Sequence, residues 1–197
     1  MQTFQATIIR PGSTLFDEQG RIQGSLDLKL TPNGIAQNIE TAEQLRPQSI
    51  ELIFSSPSEP SLTSALQIGR LLGVPVKELP GLHSVHQGLW QGKEFSELKR
   101  CSPRVFRQWE ESPDSVCPPE GEDPEEIILR VYHALKKPIR RGGNFAIVVA
   151  EPLASLVASI LRDLPPHLPG PLRAGGQPNR IEVITHQPTP PVPAKTT

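Results

Sequence analysis

Short apolar runs alternate along this chain with stretches in which apolar residues recur every three or four positions. The short runs have the length and β-branched content of strands, and they lie at 4–9, 50–54, 74–79, 144–150 and 181–184. The run at 144–150 is apolar on successive positions, as expected for a parallel strand that is buried on both faces.

The stretches between these runs have helical spacing. One helix is predicted to be capped by Thr31 and stopped before Pro47, and others are predicted at 62–72, 94–100, 103–110, 122–137 and 153–161. Strands that alternate with helices predict an α/β domain, a three-layer αβα sandwich with a mostly parallel central sheet. Ligands of such sheets bind beyond the carboxyl ends of the strands, which here are the loops after Ile9, Phe54 and Ala150.

Length and proline content divide the chain. Its 197 residues suit one compact domain, which we place at 1–186. Proline accounts for 23 residues, about twice the usual share of ~5%. Because prolines concentrate near the end, we expect a flexible tail at 187–197. Its Pro190-Pro191-x-Pro193 sequence could serve as a polyproline ligand in a scaffolding role.

Charge and composition exclude several classes of partner. The net charge is −1 and no long basic stripe is present. The clusters Lys136-Lys137 and Arg140-Arg141 are short and suit a helix end, so we expect no nucleic-acid binding. No apolar run approaches ~18 residues and no secretory leader is apparent, which favours a cytoplasmic protein without a membrane span. Cys101 and Cys117 have neither a disulfide framework nor metal-ligand spacing, so no metal or cofactor is expected.

Sequence motifs in the predicted loops follow one another in a specific order. The first is Arg10-Pro11-Gly12, followed by Gly20-Arg21-Ile22-Gln23-Gly24. The later motifs are Ser55-Ser56-Pro57, Gly88-x-Trp90-Gln91-Gly92, Pro119-Glu120-Gly121-Glu122 and the strand that ends at Ala150. This ordered set resembles the histidine phosphatase superfamily, whose members are phosphoglycerate-mutase-like. The resemblance covers roughly nine tenths of the chain and implies that family's fold.

The resemblance also implies where catalytic groups should stand. In the family, a His attacks the phosphoryl group, two Arg and a second His bind its oxygens, and a Glu protonates the leaving group. Arg10 matches one of these five positions. The other four hold residues that cannot take these roles, and they are Pro11, Pro60, Ser84 and Glu151.

These substitutions predict a catalytically inactive member of the family, a pseudoenzyme with a binding or regulatory role. Proline has no nucleophilic atom and no backbone N–H, and a serine hydroxyl is not an acid near neutral pH. A carboxylate would repel phosphate by about 4 kcal/mol at ~4 Å. We expect an ion pair between Arg10 and Glu151, and a vestigial phosphate pocket formed by Arg10, Gly12, Asp17, Gln23 and Gly24.

Two other functions remain open at this stage. An active phosphomonoesterase could use relocated groups, with His83, His86 or Glu151 as the nucleophile. A scaffolding subunit is the other alternative. The expected partner is an unidentified protein or a small phosphorylated ligand, and an oligomer is possible. Asp17 is interpreted as a solvated loop residue, and Trp109 and Tyr132 as packing residues rather than a binding platform.

Overall fold

A single five-stranded sheet organises the computed structural model, which describes residues 4–171 and 180–186. Its strands are β1 (Phe4–Ile9), β2 (Leu52–Ser55), β3 (Val76–Glu78), β4 (Gly143–Val148) and β5 (Ile181–His186), in the spatial order β3-β2-β4-β1-β5. The first four strands are parallel, and β5 pairs antiparallel with β1 at one edge. The predicted α/β class and the internal place of β4, between β2 and β1, are confirmed.

Seven α-helices connect and cover the strands in the described residues. They are α1 (Leu15–Gln19), α2 (Pro32–Leu45), α3 (Ser61–Leu72), α4 (Phe95–Cys101), α5 (Pro103–Glu111), α6 (Pro124–Arg141) and α7 (Leu153–Leu161). As predicted, the Thr31 hydroxyl caps α2 by accepting from the Gly34 N–H. Gly73 ends α3 in the left-handed conformation, which glycine adopts without strain.

Two hydrophobic cores lie on opposite faces of the sheet. In β1, Ile8 belongs to the core that α6 and α7 cover, whereas the next residue, Ile9, belongs to the core under α2 and α3. Phe54 and Ile53 of β2 divide between the cores in the same way. Because side chains alternate across a strand, a strand buried on both faces must be apolar at every position. The three-layer αβα arrangement follows from these two cores.

Helices α1 and α6 differ from the sequence prediction. Helix α6 was predicted to end at 137, but it continues through Pro138 to Arg141. Pro138 is buried and Ile139 packs against the core, so burial offsets the hydrogen bond that proline removes. The basic cluster Arg140-Arg141 therefore lies in the last turn, where cations suit the helix dipole. Helix α1 was not predicted because it is only five residues long.

The proposed tail, 187–197, lies outside the described residues, so the division at 186 stays a prediction. Across 4–171 and 180–186, no helix combines the length and apolarity that a bilayer crossing requires. The free thiols of Cys101 and Cys117 are both exposed.

Candidate functional site

A cavity of about 390 Å³ opens at the carboxyl ends of the parallel strands. Its wall includes Arg10, which follows β1, and the four other positions to which the resemblance assigns catalytic groups, Pro11, Pro60, Ser84 and Glu151. The sequence placed these residues in four separate loops, and parallel strands bring the loops to one edge of the sheet.

An ion pair in the cavity wall joins Arg10 to Glu151. Nε of Arg10 donates to Oε1 of Glu151 at 2.7 Å, and Nη2 lies 2.7 Å from the same oxygen. The two side chains are 11% and 9% exposed, so solvent screens their attraction little. The predicted ion pair is confirmed. It follows from the β1–β4 pairing, which holds Ile9 opposite Val148 just before the two loops begin.

Helix α7 holds the Glu151 carboxylate from the other side. Oε2 accepts the Ser155 N–H at 3.2 Å, and the Ser155 hydroxyl donates to Oε1 at 3.0 Å. Glu151 precedes the first turn of α7, where the positive end of the helix dipole favours a carboxylate. The Glu151 side chain is therefore oriented toward Arg10 by contacts with two parts of the fold, the loop after β1 and helix α7.

Pro11 and Gly12 shape the loop after β1 in different ways. Pro11 lines the cavity but has no N–H to offer an anion. Gly12 is not among the described residues of the cavity wall; it packs behind the wall and donates its N–H to the Ser64 hydroxyl at 3.0 Å. A Cβ on Gly12 would lie 2.2 Å from the Gly34 carbonyl oxygen, so close backbone packing requires glycine there.

The other residues of the predicted pocket, Asp17, Gln23 and Gly24, do line the cavity. Asp17 is not the loop residue that we expected, because it forms a capping box with Thr14 in the first turn of α1. The Gln23 amide donates to the carbonyl oxygens of Leu26 and Glu59, each at 3.1 Å. Gly24 has a φ of 62° and packs against the Gln91 side chain.

Pro60 and Ser84 are the other two positions to which the resemblance assigns catalytic groups. Pro60 is buried before the first residue of α3, and Ser84 donates its backbone N–H to the Ser58 hydroxyl at 3.0 Å. The neighbouring histidines contact backbone carbonyl oxygens, and Nε2 of His83 also lies 4.0 Å from Oε1 of Glu122. Nδ1 of His83 lies 3.0 Å from the Pro80 carbonyl oxygen, and Nδ1 of His86 lies 3.0 Å from that of Glu120. Neither histidine is among the described residues that line the cavity.

Aromatic side chains form a further wall of the cavity. The Trp109 ring lies 5.0 Å from that of Trp90 and 6.0 Å, nearly parallel, from that of Phe95. All three line the cavity, so Trp109 is both a packing residue and part of a binding surface, and our interpretation of it was incomplete. Tyr132 is 52% exposed and lies under the Lys136 ammonium group, so its interpretation as a packing residue was wrong.

Charged groups at the rim of the cavity are paired with one another. Arg21 donates to Oε1 of Glu94 at 2.9 Å and to the Gly92 carbonyl at 2.8 Å. Glu122 forms a bidentate pair with Arg130, whose Nη2 donates to Oε2 of Glu122 at 3.0 Å. Both arginines that line the described cavity, Arg10 and Arg21, are thus paired with a carboxylate.

Two residues near the site were not predicted. Glu182 on β5 approaches Arg10, and Arg180 donates to the Gln37 side-chain oxygen at 2.6 Å. Burial lowers the pKa of the Arg180 guanidinium, whereas Glu40 and Asp17 act in the opposite direction. Only the antiparallel pairing of β5 with β1 brings these residues to the site, and no local sequence signal marks them.

The mostly parallel sheet, with helices on both faces and a cavity at its carboxyl edge, defines an open α/β protein, a class in which that edge is the usual place for a ligand site. The sequence profile of the histidine phosphatase superfamily (branch 1) matches residues 6–188. The chain therefore belongs to the histidine phosphatase superfamily, and the resemblance found in the sequence is confirmed at the level of the family.

Individual relatives agree with this assignment. The chain is 27% identical to phosphoserine phosphatase 1 of Hydrogenobacter thermophilus over 157 residues, which is 78% of this chain and 74% of that protein. It is 28% identical to a Yersinia pestis protein named "Probable phosphoglycerate mutase GpmB" over 171 residues, 86% of this chain and 80% of the other. A solved structure of mycobacterial glucosyl-3-phosphoglycerate phosphatase superposes with a TM-score of 0.74 at 24% identity, covering 83% of this chain and 82% of the other, and supports the fold alone.

Proposed function

We propose that this chain is a catalytically inactive histidine phosphatase that serves a binding or regulatory role. The observation that carries the proposal is the Arg10–Glu151 ion pair in the cavity at the carboxyl ends of the strands. The resemblance assigns the Arg10 guanidinium to phosphate binding, but this group is already paired with the Glu151 carboxylate. A phosphoryl group entering there would have to displace Glu151 and would meet its negative charge.

The loss of nucleophile chemistry supports the same proposal. The cavity holds Pro11 where the resemblance implies the attacking His, and Ser84 where it implies the acid. Loss of a nucleophile alone can reduce the rate by about 10⁶-fold, and the missing acid and the missing anion-binding groups act on the same step. We therefore expect no turnover above background.

The experiment measures hydrolysis of p-nitrophenyl phosphate and, by intact mass spectrometry, transfer of a phosphoryl group to the protein. The expected result is no turnover and no +80 Da species, the mass that a phosphoryl group adds. A variant with His83→Ala and a variant with His86→Ala serve as controls. Turnover above background in the unchanged protein would refute the proposal, and its loss in either variant would identify that histidine as the relocated residue.

For the cellular role we propose binding without catalysis. A domain that keeps the family's sheet and cavity but not its chemistry retains the means to bind a small molecule or a protein partner. A cytoplasmic location and a scaffolding role for the 187–197 segment remain proposals that rest on the sequence alone.

A further inference from the structure

We infer that the cavity binds an uncharged small molecule with an aromatic or fused-ring body, not a phosphorylated ligand. This inference rests on the proposed loss of phosphoryl chemistry and names the ligand class of the same cavity. The size of the cavity, about 390 Å³, lies within the roughly 300–1,000 Å³ that small-molecule sites usually have.

The first argument is the aromatic wall. Trp90, Phe95 and Trp109 present ring surfaces to the cavity, and Val116 and Leu168 add aliphatic surface beside them. The Trp109 and Phe95 rings are inclined by only 23°. These rings and Trp90 also pack together in one apolar cluster. The ring surface that they leave open to the cavity suits a planar ring system, because contacts between aromatic rings add to the gain from burial.

The second argument is the rigidity of the remaining wall. Prolines contribute repeatedly to it, and those in the described part of the chain are Pro11, Pro60, Pro113, Pro118, Pro124, Pro152 and Pro169. Proline has a fixed φ and no N–H, so these residues add apolar surface without hydrogen-bond donors. At these seven positions the wall offers apolar area and none of the backbone donors that an anion site uses.

The third argument is electrostatic. The charged residues that line the described cavity are Arg10, Asp17, Arg21, Glu94, Glu122 and Glu151. Both arginines are bound to carboxylates, and the carboxylates outnumber them. A phosphate, sulfate or carboxylate ligand would lose hydration and gain no cation from these residues in return, whereas a neutral ligand avoids that cost.

The two tryptophans of the chain make the inference directly testable. Trp90 and Trp109 are the only ones in the sequence, and both line the cavity. Energy transfer from tryptophan to a naphthalene fluorophore therefore reports binding to the protein near these rings, and the blocking variants below assign it to the cavity. The probe is N-phenyl-1-naphthylamine, which is uncharged. Its matched anionic control is 8-anilinonaphthalene-1-sulfonate, which has the same rings and one added sulfonate.

The full chain should bind the neutral probe at least tenfold more tightly than the sulfonated one, and 10 mM inorganic phosphate should not displace it. Ser84→Phe places a ring in the cavity and should weaken binding of the neutral probe at least tenfold. The matched control is Ser112→Phe, the same change at an exposed position outside the described wall, which should leave binding within twofold. Val116→Phe repeats the blocking test from the aromatic wall if Ser84→Phe does not fold.

Equal or tighter binding of the sulfonated probe would overturn the inference, as would neutral-probe binding that both blocking variants leave unchanged. Absence of neutral-probe binding would also overturn it but would leave the proposed function standing, provided that turnover and phosphate binding are absent too. Phosphate binding accompanied by turnover would refute the proposed function itself. The two failures are therefore distinguishable.

Discussion

Glu182 and Arg10 face each other across the β1–β5 pair, with Oε2 and Nη1 3.5 Å apart. Glu182 stands opposite Ile8 in the antiparallel register, so its side chain reaches the loop that begins at Arg10. The other carboxylate oxygen of Glu182 accepts from Arg162 just after α7. Arg10 is thus held by Glu151 on one side and by Glu182 on the other, at unequal distances and unequal burial.

This asymmetry predicts unequal effects on stability. Glu151→Gln should lower the free energy of unfolding by about 3 kcal/mol, because it leaves the buried guanidinium without its nearest counter-charge. Glu182→Gln should lower it by about 1 kcal/mol or less, since that side chain is 25% exposed and its contact with Arg10 is longer. Urea denaturation at neutral pH measures both differences. Equal losses would contradict the assignment of Glu151 as the principal partner.

A double substitution tests whether the ion pair itself stabilises the fold. Replacing both partners, Arg10→Met with Glu151→Leu, should cost less than Glu151→Gln alone, because no charge then remains buried without a partner. The measurement is again the urea midpoint. A double variant less stable than the single one would show that the pair contributes net stability beyond mutual neutralisation.

Restoring the family's residues should restore anion binding. The variant Pro11→His, Pro60→Arg, Ser84→Glu and Glu151→His removes the nearest carboxylate from Arg10. It adds one Arg and two His against a single new Glu, so its affinity for vanadate should rise at least about tenfold, or ~1.4 kcal/mol. Full catalytic rate is not expected, because the surrounding residues that orient a catalytic group are not restored. Adding Arg10→Ala to this variant should abolish the gain. No gain in calorimetric titration would contradict the residue-by-residue match.

Gly12→Ala should destabilise the chain by about 2 kcal/mol through overpacking. The new Cβ would meet backbone atoms of Gly34, which cannot move as a flexible side chain can. Gly20→Ala is the matched control: it meets nothing within 4 Å, and its cost of about 1 kcal/mol comes only from the left-handed backbone. Thermal unfolding compares the two. A smaller effect at Gly12 than at Gly20 would exclude the close approach to Gly34.

The pKa of Glu51 should respond to Arg141. It is lowered from its usual value of 4.5, first by the hydrogen bond from Arg141 and then by the N–H of Asn144. Since the folded state favours the charged carboxylate, this contribution to stability is present above pH ~4.5 and is lost as the pH falls through the lowered pKa. Arg141→Gln should move the pKa back toward 4.5 in an NMR titration of the Glu51 carboxyl carbon. An unchanged pKa would contradict the contact.

Prediction from the sequence succeeded where the signal was local or shared with a family. The apolar run that became β4 and the capped start of α2 depend on residues near one another in the chain. Helix α6 shows where this reasoning stops. A proline normally ends a helix, and only the burial of Pro138 against other elements allowed the helix to continue.

The sequence by itself determined the fold class, the family and the ion pair between Arg10 and Glu151. Apolar runs identify the strands, ordered loop motifs identify the family, and the carboxyl ends of neighbouring parallel strands must lie at the same edge of the sheet. Only the tertiary structure decided that Glu182 approaches Arg10 and that Trp109, far along the chain, lines the same cavity as Pro11. Those contacts depend on the direction of β5 and on the packing of α5. Neither is encoded in periodicity, because the free energy that fixes them comes from contacts between residues distant in sequence.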